Sequence, residues 1–260
     1  MHAQRHWKLM LATGLALTGL MATATGASAP PPADPPRIAG VEAPAQNTDF
    51  FDDLYNALTG HSGDNDNTGG HDDCGTDLTN TSDGNASTLA MLPFPVAFFP
   101  TAPNQTYSSL YVNNDGTVTF DAPQSTFPGT TLTTVMTRTI APFLADAAAG
   151  SQYPRTGKVS YGSVWGGSAF CVRWEDMRQQ SPPSGGTAEN SFSLLLRKPN
   201  NTATGDFDID FRYQHIGWDL GKPLDSAASV GLTKGTGAAN TYFVLPGSQT
   251  PGAFVDGGSN

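Results

Sequence analysis

The chain has 260 residues, and its composition favours short strands joined by turns. Only 14% of the residues are charged, whereas glycine and proline number 29 and 20. This mixture is typical of mainly β domains and excludes a coiled coil or a long helical bundle. The formal net charge of −10 argues against nucleic acid and anionic membrane surfaces as partners.

Residues 1–29 have the pattern of a secretory signal peptide. Arg5 and Lys8 precede an apolar run over residues 9–21, and small residues follow at 22–24 and 27–29. The apolar run is too short to stay in a bilayer as a spanning helix, so no membrane insertion is expected. Removal of residues 1–29 leaves 11 Lys and Arg against 23 Asp and Glu, a net charge of −12. We therefore expect a secreted, extracellular protein.

Two segments of different character follow the leader. Residues 30–45 contain six prolines and predict an extended linker. Residues 48–59 predict one short N-terminal amphipathic helix, because Phe50, Leu54 and Leu58 recur every four residues. We expect a single domain over residues 46–260, with its core in residues 90–260.

Residues 60–87 are rich in glycine, asparagine and aspartate and predict a loop. Asp64, Asp66, Asp72 and Asp73 crowd this segment and form a candidate calcium site, since calcium prefers several oxygen ligands. His71 suits zinc better, but no second histidine supports zinc. The alternative is a solvated acidic loop without a metal. No other cofactor is expected.

The chain has two cysteines, Cys74 and Cys171. An even number in an oxidising compartment predicts one disulfide bond. Two free, buried thiols are the alternative, because the sequence does not tell whether the two Cα atoms come close enough.

From about residue 90 the apolar residues follow a period of two. This alternation predicts many short, half-buried strands in an antiparallel β sandwich or barrel. Asp115-Gly116 predicts a hairpin with a type I′ turn, because these residues tolerate positive φ angles. The alternating or strand-like segments are 109–112, 117–120, 158–161, 170–175, 192–197, 207–213, 228–233 and 241–245.

An ordered set of sequence blocks resembles the nidogen-type extracellular (NIDO) domain. The blocks lie at residues 92–95, 107–120, 140–146, 157–162, 170–174, 190–192, 205–211, 216–218 and 242–247. One departure is Leu144, which stands where the family usually has tryptophan. The resemblance implies an antiparallel β sandwich and a non-enzymatic module for cell–matrix or cell-surface adhesion. It carries over no catalytic residue. The lack of further modules and the short leader favour a bacterial source.

Two alternatives to adhesion stay open. A glycosidase needs two facing carboxyl groups, for which Asp146, Glu175 and Asp210 are candidates. A carbohydrate-binding module needs exposed aromatic rings, for which Tyr107 and Tyr111 are the surface candidates. The expected partner is thus an extracellular protein or a polysaccharide. A structural spacer without a ligand of its own is a third hypothesis.

Overall fold

The computed structural model describes residues 5–11 (backbone), 74–78, 87–124, 126–148, 157–180, 187–200, 202–220 and 227–257. The predicted linker over residues 30–45, the predicted helix over 48–59 and the acidic residues between 64 and 73 lie outside these ranges. Those three expectations stay predictions.

Thirteen strands are present in the described residues. The strands are β1 (Arg5–Leu11), β2 (Thr76–Asp77), β3 (Ser87–Val96), β4 (Tyr107–Asn113), β5 (Thr117–Thr119), β6 (Thr139–Leu144), β7 (Ala147–Ala148), β8 (Lys158–Val164), β9 (Ala169–Gln179), β10 (Glu189–Arg197), β11 (Phe207–Ile216), β12 (Ser229–Thr233) and β13 (Tyr242–Val244). Two short 3₁₀ turns, Leu132–Thr134 and Trp165–Gly167, complete the regular elements of these ranges.

The strands form two sheets that pack face to face. Sheet A has the order β1-β11-β10-β9-β8-β2, with β7 paired to β9, and sheet B has the order β13-β12-β6-β5-β4-β3. All pairs between named strands are antiparallel. The prediction of a mainly β, antiparallel sandwich is confirmed. No α-helix lies in the described ranges.

The core between the sheets is built by the alternating residues of both. On β9, Phe170, Val172 and Trp174 point inward and are almost completely buried. The ring of Trp174 stacks on Phe192 of β10, with centroids 5.2 Å apart. Phe192 in turn lies 5.3 Å from Phe143 of β6, so aromatic contacts connect the two sheets.

The hairpin between β4 and β5 differs from the predicted type I′ turn. Asn113 pairs with Thr117, so three residues form the loop, and of these only Gly116 has a positive φ, at 72°. A type I′ turn needs two consecutive positive φ angles, whereas this pattern is typical of a three-residue loop that ends in a left-handed glycine. The prediction of a hairpin is confirmed, and the predicted turn type is wrong.

This hairpin turn is buried, although its sequence is polar. Asn113, Asn114 and Asp115 are each 1% exposed. The Asn113 side-chain amide donates to the hydroxyl oxygen of Thr117, and the indole N–H of Trp174 donates to the Asn113 carbonyl over 2.9 Å. The Asp115 carboxylate accepts from the backbone N–H of Ala147 over 3.0 Å. Buried polar groups are costly unless they are hydrogen-bonded, so this network ties the hairpin to both sheets.

Two short segments carry strands that composition alone does not indicate. β2 lies inside residues 60–87, which composition predicts to be a loop, and pairs with β8 through Thr76 and Tyr161. In the uncleaved chain β1 lies within the predicted signal peptide and pairs with β11. Removal of the leader stays a prediction.

The C-terminal segment is fastened to sheet A through two aspartates. Asp256 accepts from the backbone N–H of Ile216 over 3.1 Å, and its own N–H donates to the Ile216 carbonyl over 2.9 Å. Asp219 is 4% exposed. Burial raises the pKa of Asp219 above its ordinary value of 3.8, and backbone N–H groups of Phe254, Gly252 and Ala253 partly offset this rise in the pKa.

We expect the chain to lose stability relative to an Asp219→Asn variant as the pH rises above about 4. The raised pKa means that folding favours the protonated carboxyl, so this contribution is complete below the unfolded pKa of 3.8 and is lost as the pH rises through the folded pKa. Urea unfolding at several pH values between about 3 and 7 measures the difference. A difference that stays constant across this range contradicts the assignment.

Candidate functional site

An exposed apolar surface lies at one edge of sheet B. On β3, Leu89 and Met91 are 52% and 68% exposed. The residue that follows each of them, Ala90 and Leu92 respectively, is buried. The alternation follows from the pleat, which turns successive side chains to opposite sides of the sheet. Leu89 pairs with Tyr111 of β4, and Met91 pairs with Ser109. We call the outer side formed by Leu89, Met91, Ser109 and Tyr111 the β3–β4 face.

β3 is the outermost strand of sheet B in the described residues. Its second half contains Pro93 and Pro95, which cannot donate to a neighbouring strand. Prolines of this kind protect an edge strand against further strand pairing. A partner of this region would therefore contact the side chains of the β3–β4 face, since prolines interrupt the backbone edge.

The structure brings Tyr111, but not Tyr107, to the β3–β4 face. The pairing of β3 with β4 shifts between Met91 and Val96, so Tyr107 lies opposite the buried Val96. The Tyr107 ring packs beside Phe120, with centroids 5.0 Å apart.

Tyr107 belongs to a small polar cluster. Arg138 forms an ion pair with Asp121 over 2.7 Å, and its guanidinium lies 5.9 Å from the centre of the Tyr107 ring. Burial and, to a smaller extent, the Asp121 carboxylate raise the pKa of Tyr107, while Arg138 opposes this rise in the pKa. The tyrosine is therefore neutral at physiological pH, and Phe120 and Arg138 already contact its ring.

The tryptophans of the chain's second half do not offer free stacking surfaces. Trp174 is fully buried, and Trp218 is 7% exposed with its indole N–H donated to the Met177 carbonyl over 3.0 Å. Trp165 is half-buried and packs on the cluster that surrounds the disulfide bond. A sugar ring needs an exposed aromatic face, and these three residues supply little of it.

The three carboxyl groups considered for glycoside hydrolysis have different surroundings: two form ion pairs, and the third is buried. Glu175 forms ion pairs with Arg173 over 3.1 Å and with Lys158 over 3.7 Å. Asp210 forms ion pairs with Arg212 over 3.2 Å and Arg197 over 3.8 Å. Asp146 is 3% exposed, at the end of the buried β6.

No deep cleft accompanies these acids in the part of the chain that the structure describes. A shallow depression on sheet A is lined by Arg173, Phe192, Ser193, Arg212 and Gln214 and encloses essentially no volume. Pockets that bury a small ligand usually measure about 300–1,000 Å³. This depression is therefore too small to hold an oligosaccharide between two carboxyl groups.

The candidate calcium ligands Asp64, Asp66, Asp72 and Asp73 lie outside the described residues, as does His71. Among the residues that are described, no group of three His, Cys, Asp or Glu side chains is placed to hold a metal ion. Calcium therefore stays a prediction from the sequence.

The predicted disulfide bond is present. Cys74 and Cys171 are bonded, with Cα atoms 5.5 Å apart, and both are buried. The bond joins the chain just before β2 to a residue near the start of β9, on the outer side of sheet A beside Leu195. It fastens the N-terminal part of the domain to the sandwich.

The sequence pattern does not single out Leu89 and Met91. Exposed and buried residues alternate over Ser87–Val96, but the period of two predicts strands only from about residue 90. The two residues stand out only when their exposure is known, since an alternating strand has two sides and the sequence does not say which one is covered.

A protein-family model described as NIDO related matches residues 65–256. The chain belongs to the NIDO-related family. The blocks on which the resemblance was based mostly supply buried residues in this NIDO-related fold, including Asn113, Trp174 and Asn190. Asn190 accepts from the backbone N–H groups of Gly217 and Trp218 over 2.9 and 3.1 Å. Most residues of the family motifs therefore build the fold, whereas Ser109 and Tyr111 of the block at residues 107–120 also lie on the β3–β4 face.

A curated relative is alpha-tectorin from Gallus gallus. Its alignment with this NIDO-related chain is 206 positions long with 28% identity, and it covers 68% of this chain and 9% of alpha-tectorin. The chain thus spans less than a tenth of that relative. No solved structure matches the chain significantly. Within the described ranges, no helix has the length and apolar character needed to cross a membrane.

Proposed function

We propose that the chain is a secreted, non-enzymatic extracellular domain that binds a protein partner through the β3–β4 face. The proposal includes export and removal of residues 1–29. Membership of the NIDO-related family and the similarity to alpha-tectorin support an extracellular, adhesion-type role. The observation that carries the proposal is the exposure of Leu89 and Met91 beside Tyr111 on one side of an edge hairpin.

The chemistry of the β3–β4 face favours a protein over a polysaccharide. Its most exposed members are an aliphatic side chain and a thioether, which pack against apolar side chains but do not form a flat platform for a sugar ring. Methionine and tyrosine are enriched in protein interfaces, and exposed apolar patches mark interaction sites.

The arrangement of the acids supports a non-enzymatic role. Glu175 and Asp210 are each held by two basic side chains, as structural ion pairs are. A general acid in glycoside hydrolysis needs a carboxyl group that faces its partner across a cleft. A carbohydrate-binding module remains the second candidate function, supported by the half-exposed Tyr111.

The test measures binding of the secreted protein to an array of extracellular-matrix proteins, polysaccharides and cell-wall polymers. A Leu89→Ser/Met91→Ser variant should bind the protein identified on the array at least tenfold more weakly, because it lacks two apolar side chains that become buried in the complex. The stability should hardly change, since both residues are exposed.

The matched control is Tyr242→Ser. Tyr242 is 38% exposed and lies on β13, at the opposite edge of the same sheet. Equal loss of binding in both variants would contradict a role of the β3–β4 face, and a hit confined to polysaccharides would favour the second candidate. A parallel run in EDTA tests the calcium proposal, which expects weaker binding without calcium.

A further inference from the structure

The outer edge of β11 accepts a strand along seven residues. β1 pairs with it antiparallel from Arg5 opposite Tyr213 to Leu11 opposite Phe207, without a register shift. β10 occupies the other edge of β11. If residues 1–29 are removed on export, β11 becomes the outermost strand on this side of sheet A among the described residues. An open, regular edge of this length is a template for another strand.

The side chains of β11 suit pairing with a second copy of the same strand. Its inward residues are apolar or aromatic: Phe207, Ile209, Phe211 and Tyr213. On the outer side, Asp210 and Arg212 carry opposite charges two residues apart and form an ion pair over 3.2 Å. A strand with opposite charges at neighbouring outward positions is self-complementary when it runs antiparallel to its own copy.

We propose that two mature chains associate through β11 about a two-fold axis and so join their A sheets into one continuous sheet. In the favoured register Phe211 lies on the axis, and Asp210 faces the partner's Arg212 while Arg212 faces the partner's Asp210. Cross-strand pairs of opposite charge stabilise a sheet, and the two-fold axis forms this pair twice.

The nearest alternative register is electrostatically worse. It keeps the inward residues inside but moves the axis to Asp210, which then faces the partner's Asp210 directly. Like charges in directly opposite positions destabilise strand pairing. A register shifted by a single residue on one strand would turn apolar residues to the solvent and is excluded for that reason.

The association goes beyond the proposed function and rests only on removal of the leader. β11 lies in sheet A, and the β3–β4 face lies at the far edge of sheet B. A pair of chains would therefore present two β3–β4 faces. Two linked binding faces can raise the effective affinity for a partner that displays several sites.

The test uses the protein secreted from its host, with its N-terminus determined by mass spectrometry. Sedimentation over micromolar concentrations should show a dimer. Arg212→Asp should raise the dimer dissociation constant at least tenfold. In this variant Asp210 of each chain faces an aspartate of the other chain, so both cross-strand pairs become repulsive. The swapped variant Asp210→Arg/Arg212→Asp should restore the dimer. A synthetic peptide with the sequence of residues 5–11 should compete with dimer formation, and a scrambled peptide should not.

Thermal unfolding of each variant shows whether the monomer stays folded, and Leu89→Ser/Met91→Ser serves as a second control that should leave the dimer intact. A wild-type monomer at all concentrations overturns the proposal, whether or not the peptide binds. A dimer that survives Arg212→Asp unchanged overturns the proposed register and edge. If Leu89→Ser/Met91→Ser stays dimeric but no longer binds the array, dimer formation through β11 and partner binding through the β3–β4 face are independent properties.

Discussion

The Gly116→Ala variant is expected to unfold at a much lower urea concentration than the wild type, with a loss of about 2–5 kcal/mol. Gly116 has a φ of 72°, which side chains other than glycine adopt at a cost. A Cβ atom there would also overlap the carbonyl oxygen of Phe143. We expect the upper half of this range, since a backbone carbonyl of β6 cannot rotate away as a side chain can.

The matched control for this effect is Gly129→Ala. Gly129 has a similar φ of 83°, but no atom lies within 4 Å of the place where its Cβ would stand. Its alanine variant should lose only the cost of the left-handed backbone, about 1–2 kcal/mol. Equal losses in the two variants would mean that the contact with Phe143 is relieved easily and that the buried hairpin is less rigid than its hydrogen bonds indicate.

Removal of the disulfide bond in a Cys74→Ala/Cys171→Ala variant is expected to cost about 4–5 kcal/mol. The bond spans a sequence separation of 97 residues, so it restricts the unfolded chain strongly. The loss should appear as a lower midpoint in urea and as weaker protection of the β2 and β8 amides against hydrogen exchange, because the bond holds this edge of sheet A.

Dithiothreitol provides the control for this second effect. It should destabilise the wild type by a similar amount and leave the alanine variant unchanged. A variant as stable as the oxidised wild type would show that the segment before β2 is held by its strand pairing and not by the covalent bond. The double substitution is preferred over a single one because it leaves no free thiol that can react.

The predicted effects separate the residues that build the fold from those that are free to bind. Gly116, Asn113, Trp174 and Asn190 belong to the sequence blocks of the family and are engaged inside the sandwich. Leu89 and Met91 lie at the edge, where their side chains contact solvent. Substitutions in the first group should reduce stability, and substitutions in the second should reduce binding alone.

Sequence alone determined the fold class, the family and the positions of most strands. Alternation with a period of two is set by the pleat and can be recognised locally, as in β9 and β11. The disulfide bond was predictable from the presence of two cysteines and the expected compartment. The hairpin at Asp115-Gly116 was predictable because glycine tolerates a backbone conformation that few residues adopt.

Only the tertiary structure decided on which strands the outer side is covered by other segments of the chain. The candidate site lies where the outer side stays exposed to solvent. The loop with Leu132 and Val135 covers Ala141 and Leu144 on the outer side of β6, whereas Leu89 and Met91 on β3 are exposed. Tyr107 packs beside Phe120 and against the core, whereas Tyr111 lies opposite the exposed Leu89. Such differences depend on contacts between residues far apart in the chain, and a local pattern of apolar residues does not contain them.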